Sequence, residues 1–371
     1  MKPNEASQLN HSANLLPSLP QGAEILIIRL RSLGDLVLET PAIAAIHSWR
    51  PDLRISLLVE PSFAAVLEGN PAIAELISSE SSVIKTARGL RKRRFPIVFN
   101  QHGGPRSAML TGFSGAQWRV GWAGYQYSFM YNVQVPDATA FYGIDAVHTV
   151  EHRISQFYWA GLPRGPISNA RVFPQPYAVQ SIVRRLTEKG ITDGAPYAVL
   201  QPGARLAEMR WPVARFAETA RWLREKHGIA SVVNLGARDG EISTDVHREM
   251  RNCAVIPKPP LDVHELIALI AGSRIFIGND SGPVHLAAAL QRPSVVIFSV
   301  TDPVQWRPWQ ARHRIVQTGA SFDHPRGDKG IVASNPRSTS SIVFEEVRDA
   351  CDELFFEHAQ TTRAAEGPTS S

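Results

Sequence analysis

Apolar, strand-like runs alternate with helix-like segments along nearly all of this 371-residue chain, and they do so in two separate series. That alternation limits the fold to parallel sheets wrapped by helices on both faces, because parallel neighbours need crossover segments between them. In the first series, residues 23–30 (AEILIIRL) form a buried strand and residues 35–49 a helix that Pro41 breaks or kinks. Residues 54–59 and 95–100 are further strands, the latter followed by the pair Gly103 and Gly104. In the second series the strands of residues 197–204, 230–237 and 273–280 each run into a loop, and residues 293–303 add a last strand. An α/β chain of two Rossmann-like, doubly wound domains facing a cleft follows from this pattern.

The boundaries fall where the periodicity stops. Residues 1–21 and 359–371 are polar, small-residue segments without periodicity and are expected to be disordered tails. The first domain covers 22–165 and the second 196–340, joined by a linker over 166–195 that is rich in proline and glycine around one amphipathic helix at 178–189. A final amphipathic helix spans 341–358.

Composition narrows the function classes. Hydrophobic residues at 44% and charged residues at 20% are those of a globular chain, and no apolar run reaches membrane-spanning length. The N-terminal stretch has no charged region followed by an apolar one, which points to a cytoplasmic location. Two cysteines exclude a disulfide framework, and neither has a partner at zinc spacing, so no metal site is expected. A net charge of +5 suits solvation, anionic substrates or an anionic membrane face, and with no recognised nucleic-acid module beside it nucleic acid is not expected. The densest cations, ARGLRKRRF at 87–95, belong to a helix end and form either a solvated face or a contact for acidic lipid head groups.

In doubly wound sheets ligands sit beyond the carboxyl ends of the strands, so the loops after Leu30, Leu200, Leu235 and Ile277 are the places to look. In the first, RLRSLGDLVLETPA, Gly34 permits a tight turn and Asp35 opens a helix, as a capping acid or as a functional one. One glycine there falls short of a dinucleotide fingerprint. The second, QPGARLAEMRWP, sets Arg205 and Arg210 beside a turn, either as surface residues or as forks for a diphosphate. The third, LGARDGE, offers Asp239 and Glu241, as first-turn residues or as acceptors for ribose hydroxyls. The fourth, GNDSGPVHLAAAL, combines a capping Ser281, Gly282 where backbone can approach a phosphate, Pro283, and His285 in the first turn of a helix. Its Asp280 is the anomaly, a carboxylate at the mouth of an anion cradle.

The stretches IRLRSLGDLVLETPA (28–42), PGARLAEMRWP (202–212) and GNDSGPVHLAAALQRPSVVIFSVTDP (278–303) resemble, in order, spacing and flanking strands, the heptosyltransferase-like glycosyltransferases of family 9. The resemblance implies a GT-B architecture, with an acceptor domain first, a nucleotide-sugar domain second, and the last helix crossing back to the first. It implies an inverting, metal-independent transfer of a heptose from an ADP-linked donor to a lipopolysaccharide core or related surface glycan, with no cofactor beyond the nucleotide-sugar co-substrate. By the same resemblance Asp35 is the catalytic base. Asp280, Ser281, Gly282 and His285 form the donor site, where Asp280 faces sugar hydroxyls and the helix N-terminus holds the diphosphate. Arg31, with Ser32 and Gly34, belongs to the first motif's loop, and His102, Arg106 and Tyr125 are candidates for acceptor contacts. One departure is clear: the family's usual lysine two residues before the Trp-Pro pair is Met209 here, so Arg205 or Arg210 is expected to replace its charge. Another nucleotide sugar or acceptor, or a non-catalytic nucleotide-sugar sensor, are the competing functions. A glycolipid acceptor would bring the protein to the inner face of the membrane.

Overall fold

The computed structural model describes residues 14–236, 239–319 and 338–366, with side chains as far as Glu357. The described residues form two units that divide between Phe173 and Pro174.

In the first unit the chain runs β1 (Glu24–Ile28), α1 (Leu33–Trp49), β2 (Arg54–Val59), β3 (Glu75–Ser78), α2 (Val83–Arg93), β4 (Ile97–Asn100), α3 (Pro105–Phe113), β5 (Trp118–Trp122), β6 (Val133–Val135), α4 (Ala138–Tyr142) and α5 (Thr149–Trp159). The strands pair in parallel in the order β3-β2-β1-β4-β5-β6. The winding reverses between β1 and β4, where Ile28 is in register with Asn100, so a crevice opens beyond these two carboxyl ends. The second unit contains α6 (Pro176–Thr187), β7 (Tyr197–Gln201), α7 (Val213–His227), β8 (Ala230–Val233), α8 (Gly240–Met250), α9 (Val263–Gly272), β9 (Ile275–Asn279), α10 (Gly282–Ala289), β10 (Ser294–Phe298), α11 (Pro303–Trp306), β11 (His313–Gln317) and α12 (Phe344–Glu366). Its parallel order is β11-β10-β9-β7-β8, and the reversal falls between β7 and β9, with Gln201 in register with Gly278. A Cβ on Gly278 would stand 2.7 Å from that of Gln201, so only glycine lets these strands close up.

Both sheets are doubly wound and parallel, as the alternation requires. Central strands such as β1, β4, β7 and β9 are buried on both faces, which is why they read as unbroken apolar runs. Several expectations need correction. Pro41 does not break α1: Thr40 Oγ1 donates to the Val37 carbonyl at 2.7 Å, which takes up the acceptor that proline leaves without an N–H. Residues 14–21 are not a loose tail, since Leu15, Leu16 and Leu19 are buried and the Leu16 N–H donates to the Ala160 carbonyl at 2.9 Å. Arg50 holds that segment through the Leu16 and Leu19 carbonyls, at 3.3 and 3.2 Å. The helix placed in the linker packs on α9 of the second unit and ties to it through Arg185 and Glu265 at 2.6 Å. The last helix continues to Glu366 and packs on α7, β10 and β11. Among the described residues, no helix is long and apolar enough to cross a membrane.

Candidate active site

The segment after β1 turns into α1 at Ser32, which takes the N-cap position, so Asp35 is the third helical residue and not the cap itself. Gly34 is likewise inside the first turn of the helix rather than in a tight turn before it. Asp35 Oδ2 accepts from the Ser32 N–H at 3.3 Å and the Ser32 hydroxyl at 2.9 Å. Its Oδ1 faces two guanidiniums, a close ion pair with Arg29 and one with Arg153 Nη2 at 3.2 Å. Both arginines are buried, and both donate to the Gln101 carbonyl, Arg153 at 2.7 Å. Burial alone would push the Asp35 carboxyl up, but Arg29, Arg153 and Ser32 outweigh it and hold the group at about 2. The carboxylate is therefore ionised at neutral pH and acts only as a proton acceptor there.

The loop after β4 supplies the opposite wall. Asn100 Oδ1 accepts from the His102 and Gly103 N–H groups at 3.0 and 3.1 Å, which fixes the loop's curve. Gly103 has φ +73°, and the ring of the buried Tyr125 lies where its Cβ would be. Burial and the neighbouring Arg29 push His102 down to about 3, so it is a neutral imidazole. Arg106 braces the loop after β3: its guanidinium donates to Ser79 Oγ at 2.9 Å and to the Glu80 carbonyl. Arg31 is exposed beside Ser32 at the rim.

In the second unit the loops after β7, β8, β9 and β10 converge. Asn279, fully buried at the end of β9, accepts from the Trp211 N–H at 3.0 Å and donates to the Pro202 carbonyl at 2.7 Å. Asp280 is buried, and its carboxylate accepts from the Thr301 hydroxyl. Burial pushes this carboxyl up to about 6 against the pull of Thr301. Ser281 occupies the N-cap position of α10 without capping it, because its hydroxyl donates to the Asn279 carbonyl at 3.1 Å. Among the described residues no side chain caps the first turn, where Gly282 and Pro283 begin the helix. His285 is buried, its ring centroid 6.2 Å from that of Trp306.

The third loop behaves differently from the fourth. Asp239 Oδ2 accepts from the Gly236 N–H at 2.7 Å, and its carboxylate occupies the space beside Gly203, where a Cβ would stand 2.2 Å from Oδ1. Arg210 is held by the exposed Glu241 at 2.7 Å and by the Ala204 carbonyl at 3.0 Å. Arg205 is exposed, and among the described residues its side chain has no hydrogen bond or ion pair.

The sequence profile of glycosyltransferase family 9 (heptosyltransferase) matches residues 83–329, more than half of the chain. The chain belongs to that family. It is 26% identical over 345 residues to lipopolysaccharide heptosyltransferase 3 of Escherichia coli strain K12, covering 89% of this chain and 97% of the relative. A family 9 glycosyl transferase from Veillonella parvula superposes with a TM-score of 0.77 at 21% identity, over 91% of this chain and 98% of the other. The E. coli ADP-heptose lps heptosyltransferase II follows at 0.74 and 22% identity, over 91% and 99%. The two doubly wound units are thus those of the GT-B architecture.

Met209 stands where the family resemblance implies a lysine. Its side chain is buried against Ala204, Leu206 and Val300, so the position carries packing and not charge. Four site residues escaped the sequence reading: Arg29 and Arg153 on Asp35, Thr301 on Asp280, and Asn279 between the loops. Arg29 lies inside an apolar strand run that reads as core, and Arg153 is 118 residues from Asp35. Only Asn279 had a local signal, as a polar residue ending an apolar strand inside the glycine-rich motif.

Proposed function

We propose that this family 9 glycosyltransferase transfers a heptose from ADP-heptose to a lipopolysaccharide core or a related surface glycan, with inversion at the anomeric carbon. The observation that carries the reading is Asp35 itself, a carboxylate anchored by two buried arginines beside the crevice of the first sheet. The acceptor hydroxyl attacks the anomeric carbon, its proton passes to Asp35, and the bond to the nucleotide diphosphate breaks with its electron pair. A weak base suffices because the hydroxyl becomes acidic only as the new bond forms. No general acid is required, since the diphosphate leaves as a stabilised anion.

In this reading the open first turn of α10 and the free guanidinium of Arg205 take up the diphosphate charge, and no cofactor or metal is used. Asp280 selects for the sugar, because only a polyol can supply donors that offset a carboxylate beside a pyrophosphate. The identity of the donor is supported by the names of the relatives above, and the peripheral, cytoplasmic-face location by the membrane-borne acceptor. The test is acceptor-dependent release of ADP from ADP-heptose by the parent protein, with UDP, GDP and dTDP sugars as competitors. Release that requires acceptor and vanishes in Asp35→Asn supports the reading. Tight nucleotide-sugar binding with no turnover on any acceptor would instead make the protein a sensor.

A further inference from the structure

Glu39 lies one helical turn beyond Asp35 on α1 and is fully buried. Neither of its carboxyl oxygens has a hydrogen-bond partner among the described residues. An apolar residue would fill such a position without the desolvation that a carboxyl brings. The groups that face it are charged. Arg153 from α5 and Arg29 from the segment after β1 attract its ionised form, while Asp35 on the same helix repels it. Three other titratable side chains face the two arginines: Tyr125, which faces Arg29, and His102 and His152, both pushed down to about 3, by burial first and the arginines next, so that both stay neutral. The 3₁₀ turn Pro61–Val66, also packed on α1, carries no ionisable side chain. Arg171 approaches only through its backbone, donating to Thr40 Oγ1 at 3.0 Å, and its side chain is exposed. Two guanidiniums therefore share either one carboxylate or two, depending on Glu39 alone.

Resting on the transferase reading above, we propose that Glu39 is a positioning residue for Asp35: as a carboxylate it balances the second guanidinium and raises the proton affinity of the base. With Glu39 ionised the cluster of Arg29, Arg153, Asp35 and Glu39 is neutral, and Asp35 no longer bears both arginines by itself. With Glu39 protonated the cluster carries an excess positive charge and Asp35 is a weaker base. Glu39 takes no proton from the substrate; it acts only through the field at Asp35. Burial pushes its carboxyl up to about 7 despite the two arginines, so the change of state falls in the neutral range.

The experiment has two arms on the full chain. In the first, kcat and donor KM of the parent, Glu39→Gln and Glu39→Asp are followed from about pH 5 to about pH 9. The parent is expected to gain about tenfold in kcat through neutral pH, Glu39→Gln to lose that rise and stay low throughout, and Glu39→Asp to keep it, with donor KM moving less than about twofold. Parallel profiles for parent and Glu39→Gln overturn the proposal. The second arm needs no activity: the carbon-13 carboxyl signal of Glu39 is titrated in the parent and in Asp35→Asn. Loss of the repelling carboxylate is expected to lower the Glu39 midpoint by about one pH unit. An unmoved midpoint overturns the coupling, whereas an inactive parent with a moved midpoint sinks the transferase reading and leaves the coupling in place.

Discussion

Asp35 and Asp280 occupy similar places, each at the junction of a central strand and the helix that follows it, one per unit, yet they are tuned in opposite directions. Asp35 is held at about 2 because burial is overcome by two guanidiniums and a serine, whereas Asp280 rises to about 6 because it is buried and, among the described residues, only a threonine hydroxyl opposes that. The strand-turn-helix frame brings an acid to the ligand crevice, but the residues that arrive from elsewhere decide its chemistry. Arg153 comes from α5 and Thr301 from beyond β10. A carboxylate pinned by arginines is ready to receive a proton from a hydroxyl. One with spare acceptor capacity and no cation among the described residues is ready to receive hydrogen bonds from sugar hydroxyls, which lower its proton affinity as they form.

The comparison breaks most visibly at Asp35. Asp35→Asn should lower kcat about 10²- to 10⁴-fold in the ADP-release assay while nucleotide binding stays within about twofold, since the amide keeps the shape but accepts no proton. Retained turnover would remove Asp35 from the chemistry. The next effect is on stability and has opposite signs at the two acids. For Asp35 the native value lies below the unfolded one, so its contribution is present above about pH 4 and is lost as pH falls through about 2. For Asp280 the native value lies above the unfolded one, so the folded state binds more protons and stability declines as pH rises from about 4 through about 6. Asp280→Asn should therefore raise stability at pH 7 by at most about 3 kcal/mol and flatten that slope, while weakening ADP-heptose more than ADP. Urea unfolding at several pH values reads the first effect and calorimetric titration the second. Equal weakening of ADP and ADP-heptose would end the selector role.

What the sequence made legible follows from how local each signal is. The strands β1, β2, β7 and β9 are continuous apolar runs, and the motif before α10 packs its turn residues into five positions, so both stood out. The strands β3, β5, β6 and β11 were missed because they are short and lie toward the edges of their sheets, with partly buried, mixed patterns such as ELIS and HRIVQ. Asp35 and Asp280 were found, but their opposite environments were not. Arg29 sits inside an apolar strand run and Arg153 in a stretch that offered no site signal, since nothing in either local pattern announces a partner more than a hundred residues away. The three leucines at 15, 16 and 19 were lost in a polar tail because burial by a distant helix end leaves no period to read.

The arginines of the second unit sharpen the comparison at a smaller scale, because in the proposed transfer they would meet the leaving group beside Met209, which stands where the family resemblance implies a lysine. Arg205 is exposed with no partner among the described residues, and Arg210 is already held by Glu241 and the Ala204 carbonyl. A ligand phosphate gains more from a guanidinium that surrenders no existing partner, so Arg205→Ala should lower kcat/KM for the donor about tenfold, a loss of about 1.4 kcal/mol. Arg210→Ala should do less than that, and Glu241→Gln least of all. With its side chain 76% exposed, Glu241 contributes little to stability, and removing its charge releases Arg210 toward the anion. The expected outcome for Glu241→Gln is an unchanged unfolding midpoint with ADP affinity equal to or about twofold tighter than the parent's. If Glu241→Gln instead weakened ADP, the carboxylate would be positioning Arg210 and not competing for it. The charge lost at Met209 would then be supplied by the Arg210–Glu241 pair as a unit and not by Arg205.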